Sequence, residues 1–108
     1  MKGVFSMEIH LIENVRKFIR LQDDVWESGW WGLNENKAKE LVGSAIYFHR
    51  KRTEPSFYGG IIKGYRVEPD GVHQGRIVFK FLYSHDCRNI KTDKTGWSKE
   101  MKVTKDLQ

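Results

Sequence analysis

The chain of 108 residues is short of the residues that staple, interrupt or anchor a fold. One cysteine, Cys87, excludes an internal disulfide and makes a reducing cytoplasm the expected compartment. Only two prolines are present, and there are no internal repeats or linkers, so a single domain over 1–108 is expected. No apolar run approaches the roughly 18 residues of a membrane span, and no membrane partner is expected. The N-terminal residues lack an uninterrupted apolar h-region, so no secretory signal is read there. His85 and Cys87 have no second pair at ligand spacing, and neither a metal nor a cofactor is expected.

What is abundant is aromatic and cationic. Four Trp, four Tyr and six Phe are more rings than one small core readily buries, which leaves some for a pocket or a partner. A net charge of +5 and a pI near 9.4 favour polyanionic partners, RNA or DNA.

The chain is organised around residues 44–67. Ile46-Tyr47-Phe48 reads as a buried strand, His49-Arg50-Lys51-Arg52 as a cationic run, and Phe57-Tyr58-Gly59-Gly60 as the return into a strand. Upstream, residues 1–6 read as a loose lead-in, with Met7 as an alternative start. Leu11, Val15, Phe18 and Ile19 fit a helical period, so a short extended segment and then a helix from about Asn14 to Gln22 are expected. Val25–Leu33 reads as a strand with a bulge at Gly29, on which adjacent Trp30 and Trp31 face opposite ways. Asn34 caps a helix over 35–42 that buries Ala38, Leu41 and Val42, and Gly43 ends it. A turn at Glu68-Pro69-Asp70-Gly71 precedes Arg76–Tyr83, an inner strand by its two-sided apolarity. Residues 85–95 read as loop, 99–103 as a closing strand, and 104–108 as a frayed end.

Trp30-Trp31-x-Leu33, the helix with Ala38 and Leu41, Gly43-x-x-Ile46-Tyr47-Phe48 and Gly59-Gly60-Ile61-Ile62-x-Gly64 together resemble the PUA-like superfamily, nearest its EVE and ASCH branches. The likeness covers about residues 26–81. It implies an α+β fold, a small mixed, partly open β-barrel with one or two short helices. It also implies a pocket of the kind that holds RNA or a modified, flipped base among aromatic side chains. The matching positions are Trp30 or Trp31 and the segment carrying His49 and Phe57-Tyr58. The basic run at 50–52 is an addition to that pattern.

The leading expectation is therefore a small binding module for nucleic acid or a nucleobase. Trp30, Trp31, Tyr47, Phe57 and Tyr58 supply stacking surfaces, His49 and Ser56 read a base edge, and Arg50, Lys51 and Arg52 meet phosphates. This assembly requires the strands at 25–33 and 44–49 to be neighbours. Against it stand the plain readings: tryptophans that only pack, and a solvated, charged hairpin tip. Trp97 is read as closing a barrel end or lining the pocket. Two other functions are carried: an interaction module binding a protein through exposed aromatics, and an ASCH-like amidohydrolase using Lys51, Thr53 and Glu54. The latter needs Lys51 desolvated. His85-Asp86-Cys87 is not read as a nucleophile cluster, because neighbours in an extended segment point to opposite sides.

Overall fold

The apolar alternation of residues 77–83 places Ile77, Phe79 and Phe81 on one face of a strand, and all three are fully buried. The computed structural model of the protein describes residues 5–13 and 18–107. Its elements in chain order are β1 (Phe5–Ile12), β2 (Ile19–Gln22), β3 (Val25–Trp31), α1 (Glu35–Leu41), β4 (Ala45–His49), β5 (Tyr58–Val67), β6 (Ile77–Tyr83) and β7 (Met101–Leu107). A 3-10 turn at His85–Cys87 follows β6.

The seven strands form one sheet in the order β2-β3-β6-β5-β4-β1-β7. β1 and β4 run parallel, with His10 opposite Tyr47 and Ile12 opposite His49. The other pairings are antiparallel. The sheet has two edge strands, β2 and β7, and is not closed among the described residues. The fold is thus mostly β and mixed, with one α-helix among the described residues, and a radius of gyration of 13.4 Å shows it is compact. No helix among the described residues is long and apolar enough to cross a membrane.

One face of the sheet is the core. Ile9 and Leu11 of β1, Ile46 and Phe48 of β4, Ile62 of β5 and the three β6 residues pack there with Trp31, Ala38 and Leu41. Helix α1 covers this face because Asn34 starts it: the Asn34 side chain accepts a hydrogen bond from the Lys37 amide at 2.8 Å. Gly43, at φ 93°, takes the left-handed position that follows the helix. On β5, Gly60 passes so close to the Leu82 backbone of β6 that no Cβ fits between them.

Several expectations are corrected. Residues 14–17 of the expected 14–22 helix lie outside the described residues, but Ile19–Gln22 is the strand β2. It pairs with β3 across a tight turn at Asp23-Asp24, where Asp23 sits at φ 35°. The helical spacing there is incidental, since all four β2 residues are exposed and backbone pairing holds them. Phe5 and Ser6 belong to β1 rather than to a loose lead-in, and residues 1–4 are outside the described residues. β7 begins at Met101 and continues to Leu107, pairing with β1 where fraying was expected. Val42 is exposed rather than buried, because as the C-cap it has left helical geometry with ψ 129°.

Candidate functional site

Alternation along β3 puts Trp26 and Ser28 on the core face, opposite Phe81 and Phe79 of β6. At this end of the sheet the core opens into a cleft of about 410 Å³ lined by Phe18, Trp26, Arg50, Phe57, Tyr58 and Arg88. The rings form one continuous cluster. Phe18 stacks on Tyr58 at 5.2 Å, and Trp26 stands edge-on to Tyr58 at 5.8 Å. Tyr58 in turn stacks on Tyr83 at 4.6 Å. Phe57 lies 6.3 Å from Phe18.

Two guanidinium groups flank these rings. Arg50 sits over the Phe57 ring with its Cζ 4.6 Å from the centroid, a cation–π contact that leaves its N–H groups for other acceptors. Arg88, exposed, follows the 3-10 turn. The Trp26 indole N–H is buried with no acceptor among the described residues. Burial raises the Tyr58 phenol above its ordinary value, and Tyr83 and Asp24 add to that. It therefore stays a neutral donor at physiological pH. Flat apolar walls with two cations beside them suit a planar, anionic ligand of small-molecule size.

The opposite face of the sheet carries a polar chain. Glu8 and His10 of β1 stand beside Tyr47 and His49 of β4. His10 Nε2 is 3.2 Å from Glu8 Oε1, His10 Nδ1 is 2.9 Å from His49 Nε2, and His49 Nδ1 is 2.8 Å from the Glu54 carbonyl oxygen. Tyr47 stacks on His10 at 4.7 Å, and the Trp97 ring stands edge-on to His49 at 5.7 Å. Burial lowers both imidazoles below their ordinary range, against the Glu8 carboxylate beside His10 and the Glu54 carbonyl oxygen beside His49, which favour the protonated forms. Burial pushes the Tyr47 phenol up to about 12.

The residues expected to form one site divide between these regions. Arg50, Phe57 and Tyr58 meet at the aromatic cleft. Trp30 and Trp31 do not, because they stand at the opposite end of β3 from Trp26, which does. Trp31 is a core residue whose indole donates to Ser28 Oγ at 3.2 Å. Trp30 stacks on His73 at 4.1 Å and donates to Glu68 Oε1 at 3.2 Å. Both line a separate cleft with Arg76 and Lys99. Tyr47 and His49 belong to the polar chain on the other face. Ser56 is buried, donating to the Cys87 carbonyl at 2.7 Å and accepting from the Ile90 amide at 2.9 Å.

The three adjacent cations of the basic run part company. Lys51 is 73% exposed and 3.9 Å from Glu54 Oε2 on the surface. Arg52 donates to the Lys99 carbonyl and lies over the Trp97 ring. Trp97 therefore packs over the histidines, away from the aromatic cleft. Cys87 is buried with its thiol raised by burial, the reverse of nucleophile activation. No group of three or more His, Cys, Asp or Glu among the described residues is placed to hold a metal ion.

Three site features were missed in the sequence: Trp26, Phe18 and the His10–His49 pair. Period-2 alternation from Trp31 back through the bulge at Gly29 does not predict the face of Trp26. Phe18 falls within the helical spacing read over residues 14–22. His10 meets His49 only through the parallel β1–β4 pairing, which no local pattern announces. No protein-family profile, curated protein or solved structure matches the chain.

Proposed function

We propose that the protein is a binding module that takes a base of single-stranded nucleic acid into the cleft of Phe18, Trp26, Phe57 and Tyr58, with Arg50 and Arg88 on its phosphates. The observation that carries the reading is the meeting of four rings and two guanidinium groups around one 410 Å³ opening. Stacking on such a platform is worth about 1–3 kcal/mol per base. The +5 net charge adds long-range attraction for a polyanion. The finer fold reading, a partly open barrel of the PUA-like kind acting in the cytoplasm, belongs to the same proposal. It is supported by the likeness over residues 26–81 and by a mixed sheet with one helix against it.

The test is titration with short single-stranded DNA and RNA oligonucleotides, read by tryptophan fluorescence at several salt concentrations. Trp26→Phe should remove most of the quenching. Arg50→Ala with Arg88→Ala should flatten the salt slope by about 1–2 units, as the loss of two phosphate contacts requires. Binding with an unchanged slope in that variant refutes the assignment, as does no binding to either nucleic acid.

A second reading, an interaction module, is favoured by one separate observation. Ile19 and Leu21 on the edge strand β2 are 54% and 47% exposed. Unpaired strand edges with apolar side chains accept partner strands. Retention of a protein partner by wild type but not by Ile19→Lys would support it. The amidohydrolase reading has no comparable support, since Lys51 lacks the burial that such chemistry needs.

A further inference from the structure

The polar chain on the second face has a proton count that does not close. Its ends are both acceptors, the Glu8 carboxylate and the Glu54 carbonyl, and its middle is two imidazoles. Three contacts of 3.2, 2.9 and 2.8 Å join these four groups. Each contact needs one proton, while two neutral imidazoles carry one N–H apiece. One contact is therefore left without a proton unless the chain binds a third.

Charge decides which contact that is. A carboxylate accepts more strongly than a peptide carbonyl, so His10 Nε2–H is held toward Glu8. Thr104 Oγ1 donates to the same Glu8 oxygen at 3.4 Å and fixes it in place. His10 Nδ1 is then a lone pair, and His49 answers it with Nε2–H. This leaves His49 Nδ1 unprotonated against the Glu54 oxygen, two lone pairs at 2.8 Å. The contact that fails is the one that ties the Glu54 end of the 50–54 loop to β4.

We propose that the Glu8–His10–His49 chain is a proton-operated latch on that loop: a third, shared proton closes the His49–Glu54 contact, and its loss releases it. The surroundings set where the latch works. Lys102 of β7 faces the pair but is held by Asp93 at 2.9 Å. Tyr47 of β4 stacks on His10 as a neutral phenol, and the Glu13 amide of the segment after β1 donates to the His49 carbonyl at 2.8 Å. Trp97, with the cationic Arg52 over its ring, packs edge-on to His49. Cys87 lies near Tyr47 as a thiol, its ionisation held back by burial. Burial lowers both imidazoles, so the third proton binds below the ordinary imidazole range. The latch stands on these hydrogen bonds and does not depend on the ligand proposal, although the loop it holds begins with Arg50.

The test is long-range ¹H–¹⁵N NMR of the ring nitrogens of His10 and His49 in the wild-type protein between about pH 8 and about pH 4.5. Both rings should be Nε2–H at the upper end. Entry of the third proton should bring a proton onto His49 Nδ1. Over the same range the Glu54 amide, which donates to the Lys51 carbonyl at 3.2 Å, should gain roughly three- to tenfold protection beyond intrinsic exchange. Glu8→Gln supplies the missing proton from its own amide group, so that variant should hold His49 as Nδ1–H and keep the loop protected throughout. A wild-type His49 that is Nδ1–H across the whole range overturns the proposal. So does a Glu8→Gln protein whose loop follows the wild-type pH profile.

Discussion

At Gly60 there is no room for a side chain, because a Cβ would overlap the Leu82 carbonyl oxygen and approach its carbonyl carbon to 2.7 Å. Both neighbours are backbone in a paired strand, so neither can give way. Gly60→Ala should therefore cost about 3 kcal/mol or more by urea unfolding, the upper range for overpacking. Gly64, four residues on, has nothing within 4 Å of its Cβ position and an ordinary φ. Gly64→Ala should be neutral or stabilise by a few tenths to about 1 kcal/mol. Equal losses at the two positions would show that β5 does not approach β6 as described. The sequence marked both glycines as part of a crossing strand, but which one is crowded depends on the partner strand and was not legible. Ser56 is a similar case. Read in sequence as a polar group for a base edge, it joins the Cys87 carbonyl to the Ile90 amide inside the fold. Ser56→Ala should cost about 1–3 kcal/mol of stability, since two buried groups lose their partner.

Among the elements, α1 was the most legible, because its signals are local: the Asn34 cap, the acidic Glu35 in the first turn and Gly43 beyond the end. Asn34→Ala should lower stability by about 0.5–2 kcal/mol in thermal or urea unfolding, and no change would mean the cap is not made in solution. β6 was legible for the same kind of reason, an apolar alternation that buries Ile77, Phe79 and Phe81, although Leu82 on the other face is exposed. β2 was not, because four exposed residues carry no burial period and pair only through their backbone. The placement of the tryptophans depended on their position along β3. β3 crosses the sheet with Trp26 at one end and Trp30 and Trp31 at the other, and only the Trp26 end shares a cleft with Arg50. The run itself does not act as a block, since Arg52 is engaged at Lys99 and Trp97. Single Ala variants at 50, 51 and 52 should therefore differ: Arg50→Ala flattens the oligonucleotide salt slope by about 1 unit, and Lys51→Ala and Arg52→Ala leave it nearly unchanged. Equal effects at all three would restore the run as one phosphate-binding stretch.

For the whole molecule, the roles proposed for the two faces of the sheet answer to different variables, the aromatic face to salt and the histidine face to pH. His10 and His49 are held below the ordinary imidazole value of 6.5, with burial the largest cause. In the unfolded chain they take up protons first as the pH falls. They therefore contribute stability that is present above 6.5 and is lost as pH drops through their folded values. The urea midpoint should fall on going from neutral to mildly acidic pH, and a midpoint that rises over that interval would contradict buried neutral imidazoles. The central claim concerns the other face, and the chain offers a direct reporter because each of its four tryptophans gives one indole N–H resonance. The decisive measurement is a ¹H–¹⁵N correlation spectrum during titration with a short single-stranded oligonucleotide. The Trp26 indole signal should shift most, because its ring lines the cleft. Those of Trp31, in the core, and Trp30, stacked on His73, should stay in place. A titration in which Trp30 or Trp31 moves while Trp26 does not would contradict the account.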